Sequence, residues 1–296
     1  MIKEATLKNH THTSNGEQKS FHFIAGLPRS GSTLLCNILN QNPRFHATAT
    51  SGVVSMLLAI KNNWNNIQEF KAVRNENAKL RVIRSMLLAF YSDIDKPLIF
   101  DKSRGWPANF EMLEEILGHK VKMLVPVRDI RDVLASFEKL HRKESKTGQT
   151  SQEKAFPIEF QTVEGRCEIF MKANQPVGSA YNKVKDALQR GYGDRMHFVF
   201  FEELTTNPKR VMKEVYAFLG EDYFDHDFKN VEQTTKEDDF FHGFKDLHTI
   251  RREVKPVSSE WREVLGSFAE RYDKYNFWNR AIKKDAPTVV SENSEK

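Results

Sequence analysis

Four short apolar runs punctuate the chain: "FHFIAG" from Phe21, "PLIFD" ending at Asp101, "VKMLVPV" ending at Val127 and "MHFVFF" ending at Phe201. A helical pattern follows each of them. After the first, Leu34, Leu35, Ile38 and Leu39 share one face until Asn42-Pro43 stops the helix. After the second, Pro107 suits a first turn, Phe110, Leu113 and Leu117 form the stripe, and Gly118 suits the C-terminal cap. Asp129 caps a third helix with the stripe Ile130, Val133, Leu134, Phe137 and Leu140. The fourth, "NPKRVMKEVYAFLG", opens on Asn207-Pro208 and ends at Gly220. Strands alternating with helices in this way predict an α/β fold, an open, mostly parallel sheet with flanking helices. Further helices are expected over 51–61, 76–92 and 159–190, the last broken near Pro176-Val-Gly178, and a polar loop over 143–157 is the candidate flap. The domain reading is a flexible arm at 1–20, a single domain over 21–281 and a disordered tail at 282–296.

In open α/β sheets ligands sit beyond the carboxyl ends of the strands. Those ends here are Gly26-Leu27-Pro28-Arg29, Asp101-Lys102, Arg128-Asp129 and Phe201-Glu202, and three of the four carry a basic residue. An anionic ligand is therefore expected. The first end continues as Gly26-x4-Gly31-Ser32-Thr33, between strand and helix, which is the context of a phosphate-binding loop. Its glycines let backbone N–H groups approach an oxyanion, and Ser30, Ser32 and Thr33 add hydroxyl donors. Ser32 stands where a nucleotide-hydrolysing loop carries lysine, so the loop suits a less heavily charged group than a β,γ-diphosphate. Arg29 supplies a planar, permanently charged donor fork instead. Arg128 and Ser136, eight residues apart, project to roughly one side of a helix and can clamp a second phosphate.

Composition narrows the classes. With 296 residues, 39% hydrophobic and 29% charged, the chain has the balance of a soluble globular protein with a sizeable core. Its +5 charge comes from 45 basic against 40 acidic residues, spread along the chain without a basic stripe interleaved with aromatics, so no nucleic acid partner is expected. Cys36 and Cys167 make neither a disulfide framework nor a zinc set. The polar N-terminus and the lack of any apolar run near ~18 residues predict no membrane span and a cytoplasmic setting.

"GLPRSGSTLLCNILNQNP" resembles the 5′-phosphosulfate loop of sulfotransferases that use 3′-phosphoadenosine 5′-phosphosulfate (PAPS). "VPVRDIRDVLASF" is similar to the family's 3′-phosphate element, an arginine followed eight residues later by a serine. "FDKSRGW" looks like its strand ending in a catalytic lysine, and "FVFFEELTTNP" resembles its (Y/F)-E-x-L-x-x-x-P strand. "VKPVSSEW" is similar to a late Lys-Pro-Val segment of the tyrosylprotein sulfotransferase branch. The chain thus resembles a bacterial-type member, closer to that branch than to cytosolic sulfotransferases. The resemblance implies a P-loop-containing nucleotide-binding architecture, PAPS as cofactor with 3′-phosphoadenosine 5′-phosphate as product, and no metal. It implies a catalytic role for Lys102 and Arg29, and cofactor binding by Arg29, Ser30, Gly31, Ser32, Thr33, Arg128, Ser136 and Lys255. The partner is expected to be a small-molecule, glycan, lipid or peptide acceptor carrying a hydroxyl.

Three positions depart from the family. Phe201 stands where tyrosine is common. Arg104 occupies the position of the cytosolic enzymes' histidine base, and Ala49 that of the tyrosylprotein enzymes' glutamate. An alcohol acceptor benefits from a proton acceptor within ~3 Å. His46 is the first candidate, with Asp101 and His248 as the others. Two other readings stay open: a P-loop small-molecule kinase using Asp101 for magnesium, and an inactive nucleotide-fold binding protein.

Overall fold

The computed structural model describes residues 19–144, 151–242 and 245–278. The expected tail, the residues of the arm before 19 and the middle of the candidate flap lie outside the described residues. In chain order, β1 (Ser20–Ile24) is followed by α1 (Ser32–Leu39), β2 (Phe45–Thr50), α2 (Val53–Asn66), α3 (Gln68–Ala72) and α4 (Glu76–Phe90). β3 (Leu98–Lys102) leads through a 3-10 turn, Trp106–Asn109, into α5 (Phe110–Leu117). β4 (Met123–Val127) precedes α6 (Ile130–Glu144), α7 (Ser151–Ala155), α8 (Val163–Met171) and α9 (Pro176–Gln189). β5 (Met196–Phe200) runs into α10 (Phe201–Thr206) and α11 (Pro208–Leu219), and α12 (Trp261–Leu265) follows late in the chain.

The five strands form one sheet, order β2-β3-β1-β4-β5, and every pairing is parallel. The expected α/β architecture is present, with one strand more than the sequence suggests. β2, "FHATAT", is an edge strand of small and hydroxylated residues, and its register against β3 shifts between Ala47 and Thr50. Pairing with β3, rather than an apolar run of its own, makes it a strand. The break expected near Pro176 is present: α8 ends at Met171, and Pro176 occupies the first turn of α9.

Period-two alternation divides the core into two layers. Phe21, Phe23, Ile99, Met123 and Val125 pack on one face, with Leu57, Ile83, Leu113 and Leu134 from the helices that cover it. Ile24, Leu98, Phe100, Leu124 and Val199 pack on the other, against Leu35 and Ile38 of α1 and Val211 and Val215 of α11. Each such buried side chain contributes about 1.5–3 kcal/mol. The same parity governs the end of β3. Asp101 falls on the first face and Lys102 on the second, beside α1.

From β1 the chain moves to β3 and β2 on one side and to β4 and β5 on the other, so β1 and β4 border a topological switch point. Here the backbones nearly touch. A Cβ on Gly26 would lie 1.9 Å from the Pro126 carbonyl oxygen, so glycine alone fits. The described residues of 221–260 carry little regular structure beyond a 3-10 turn, Asp239–His242, and part of them lies against α1. Asn37 of α1 holds them: its amide donates to Thr235 Oγ1 at 2.8 Å, and its oxygen accepts from the Thr234 and Thr235 amides at 2.6 and 3.1 Å.

Candidate functional site

A cavity of about 610 Å³ opens beyond the carboxyl ends of β1, β3 and β4. Its floor is the loop from Gly26 to Thr33. Gly31 takes the left-handed conformation (φ 84°) and precedes α1, whose first turn has no side-chain cap. The first helical bond is Leu35 N–H to the Gly31 carbonyl at 2.9 Å, so the preceding amides are left to an external acceptor. A Cβ on Gly31 would sit 2.6 Å from the Phe201 ring, a second reason for glycine. Arg29 also adopts positive φ, 60°, which a non-glycine residue tolerates only when its surroundings hold it there.

Those surroundings are specific. Arg29 Nε donates to Ser136 Oγ at 2.9 Å, and one terminal nitrogen donates to the Leu247 carbonyl. Arg29 therefore ties the loop to α6 and to the segment after Asp246. Ser136, having accepted from Arg29, keeps its own proton to donate. Arg128 lies over the Phe201 ring, 4.7 Å from its centroid, and its Nε is buried without a hydrogen-bond partner. Burial, and then the Arg128 charge, lower the Arg29 pKa from its ordinary value; burial lowers that of Arg128, opposed by Asp132, Glu202 and Asp129. Two like charges partly withdrawn from water at one cavity wall favour an anion beside them.

At the opposite wall, Lys102 Nζ is 2.9 Å from Glu237 Oε1 and 3.4 Å from Thr33 Oγ1. Both partners of this pair are nearly out of solvent, 6% and 5% exposed. Glu237 Oε1 also accepts from the Thr50 amide at 2.9 Å. Although burial opposes ionisation, Lys102 and Thr50 hold the Glu237 carboxyl down at about 2. Its second oxygen is buried without a hydrogen bond, 3.3 Å from His242 Nε2 and 3.4 Å from His248 Nδ1. His248 is bonded to Asp239 twice, amide to Oδ2 at 3.0 Å and Nδ1 to Oδ1 at 2.5 Å. The ligand atoms of Glu237, His242 and His248 lie within 4.8 Å of one another. With Lys102 already on that carboxylate and Asp239 on His248, the trio reads as part of an ion-pair network rather than a cation cage.

Of the residues singled out from sequence, Arg29, Gly31, Ser32, Thr33, Lys102, Arg128, Ser136, Lys255 and His248 all line the cavity. Lys255 sits at its rim, largely exposed and paired with Glu253 at 2.8 Å. Three expectations need correction. Ser30 is buried with its hydroxyl turned inward, 2.5 Å from the Leu27 carbonyl and 2.8 Å from that of Pro126, so only its backbone can meet a ligand. His46 lies in β2 opposite Ile99, near Tyr91, Asp93 and Lys96, toward the amino end of the sheet and away from the cavity. Asp101 is fully buried on the other face of β3, accepting from the Tyr91 hydroxyl and from Trp106 Nε1 at 2.7 Å. Glu237 and Asp239 were not foreseen. Their only mark in the sequence is an acidic, histidine-bearing stretch, "KEDDFFHGFKDLH", without apolar periodicity.

A family model described as the sulfotransferase domain matches residues 20–239. Sulfotransferase 1A1 of Rattus norvegicus is 26% identical over 143 residues, 42% of this chain and 46% of that protein. The protein-tyrosine sulfotransferase of Drosophila melanogaster is 25% identical over 207 residues, 67% of this chain and 37% of that protein. The chain thus spans less than half the length of these relatives. Among solved structures, the sulfotransferase domain from the Synechococcus PCC 7002 olefin synthase aligns with a TM-score of 0.52 at 17% identity, covering 95% of this chain and 100% of that one. Mouse sulfotransferase SULT7A1, complexed with PAP, aligns at 0.51 and 16% identity, covering 90% and 89%. At these identities the likeness is one of fold.

Proposed function

The chain belongs to the sulfotransferase family, and from that premise we propose that it moves a sulfuryl group from PAPS to an acceptor hydroxyl by in-line displacement. The observation that carries the reading is the pair Arg29 and Arg128, two half-buried guanidinium groups at one wall, with the Arg128 Nε buried and unpartnered and the Ser136 proton free beside them. An anion of the second-phosphate kind satisfies Arg128 and Ser136. The uncapped amides of α1, with Ser32 and Thr33, suit the other anionic end. PAPS, when bound there, supplies the sulfuryl group and a phosphate leaving group.

The residues then divide the work. Arg128 and Ser136 hold the nucleotide end. The loop amides and Arg29 orient the reacting end. Lys102 offers its charge where negative charge grows on the leaving oxygen, which lowers the barrier more than it aids binding. The acceptor is a hydroxyl compound; Phe241, His242 and Leu247 also line the cavity.

A magnesium-dependent kinase is less well supported. Both oxygens of Asp101, the aspartate such a reading requires, are taken by Tyr91 and Trp106. The test is thermal shift with 3′-phosphoadenosine 5′-phosphate and with ATP–Mg²⁺, on wild type and Arg128→Ala. The bisphosphate should stabilise wild type, and the substitution should weaken its binding about 30-fold or more. Stabilisation by ATP–Mg²⁺ alone would sink the reading, and no shift with either ligand would favour an inactive scaffold.

A further inference from the structure

Sulfuryl transfer to an alcohol needs a place for the hydroxyl proton, and both positions where related enzymes carry a base are filled here by Arg104 and Ala49. Glu237, His242 and His248 are the three groups near Lys102 to weigh as that proton's acceptor. Glu237 is held at about 2 by its pairing with Lys102, which makes it a weak proton acceptor. His242 has no hydrogen-bonded partner among the described residues that fixes its ring, only an approach of 3.3 Å to Glu237. His248 differs: Asp239 accepts from its backbone amide and also meets its Nδ1. A carboxylate at Nδ1 places the proton there and leaves the lone pair on Nε2.

We propose that His248 is the general base of the transfer and Asp239 the residue that positions it, an assignment that rests on the sulfotransferase reading above. His248 lines the same cavity as Lys102 and the phosphate loop. Its ring is faced by Asp239, Glu237 and His242 from its own segment and by Lys102 from β3. Burial outweighs the two carboxylates and lowers its pKa from the ordinary 6.5, so the imidazole is neutral near pH 7. In the step itself Nε2 takes the acceptor's hydroxyl proton as the acceptor oxygen forms its bond to sulfur. The bond from sulfur to the bridging phosphate oxygen breaks, and its electron pair stays on that oxygen, opposite Lys102. The imidazolium so formed is stabilised by Asp239.

The device that brings the base to the site is the docking of residues 221–260 on α1 through Asn37, not a position within the sheet. It is a long-range substitute for a base beside the lysine.

The test uses PAPS with phenol or 4-nitrophenol as acceptor, with water as the background acceptor, on wild type, His248→Gln and Asp239→Asn. His248→Gln should lower kcat toward phenol about 10²- to 10⁴-fold and abolish the acid limb of the rate profile. It should barely affect 4-nitrophenol at a pH where that acceptor is already ionised. Its thermal shift with 3′-phosphoadenosine 5′-phosphate should match wild type, which shows that the fold and donor site persist. Asp239→Asn should lower kcat by about 10- to 10²-fold with little change in KM. Imidazole ¹⁵N NMR, which needs no acceptor, should find the His248 proton on Nδ1 in wild type and lose that preference in Asp239→Asn. Phenol turnover within threefold of wild type in His248→Gln, or a proton resident on Nε2, would overturn the assignment while leaving the sulfotransferase reading intact. Failure of wild type to bind the bisphosphate would instead overturn the reading beneath it.

Discussion

Replacing Glu237 by glutamine removes one charge from a pair 2.9 Å apart, both partners nearly out of solvent, and keeps the oxygen that the Thr50 amide needs. The magnitude follows from the carboxyl itself, which titrates at about 2 in the fold against 4.5 when unperturbed. Each unit of that depression is worth about 1.4 kcal/mol, so the carboxylate contributes roughly 3 kcal/mol of stability at pH 7. The sign is that of a depressed acid: the contribution is complete above 4.5 and is lost as pH falls toward 2. Urea unfolding of wild type and Glu237→Gln should therefore differ by about 3 kcal/mol at pH 7, and by less as pH falls below 4.5. The loss arises because Lys102 remains buried without its counter-charge. The double variant with Lys102→Met should recover roughly 1–3 kcal/mol relative to the summed single effects. A cost below about 0.5 kcal/mol, or a gap that widens in acid, would refute the argument that this pair is a buried, coupled unit.

Two further substitutions test the local geometry. Gly31→Ala should destabilise by about 2 kcal/mol or more, because it forces positive φ on a side chain and drives a Cβ into the Phe201 ring; calorimetry that finds an unchanged Tm would contradict this. Tyr91→Phe removes one of the donors that hold the buried Asp101 and should cost about 1–3 kcal/mol by urea unfolding, with the PAPS site otherwise intact.

What the sequence alone determined is the part built by neighbours along the chain. Apolar runs followed by helical stripes specify the parallel α/β sheet, since strand and helix periods are local properties. The phosphate loop is legible for the same reason: strand, Gly26, Gly31 and the uncapped start of α1 are contiguous. Arg128, at the end of β4 just before α6, and Ser136 on α6 line one cavity, as their nearness in sequence suggests. Ser30 shows the limit of such reading. It belongs to the motif, yet the close approach of β1 and β4 turns its hydroxyl into the backbone.

The rest was decided by tertiary structure. β2 is a strand because β3 lies beside it, so His46 is carried away from the cavity by an edge pairing with no apolar signature of its own. Asp101 and Lys102 are adjacent in sequence but part to opposite faces of the sheet. Lys102 then finds its counter-ion 135 residues later, in a segment without a period to read. Hydrogen bonds from Asn37 seat that segment over the strand ends, and with it come Glu237, Asp239 and His248. Contacts of that range depend on how a non-periodic chain docks, which only packing and hydrogen-bond satisfaction of the whole domain determine.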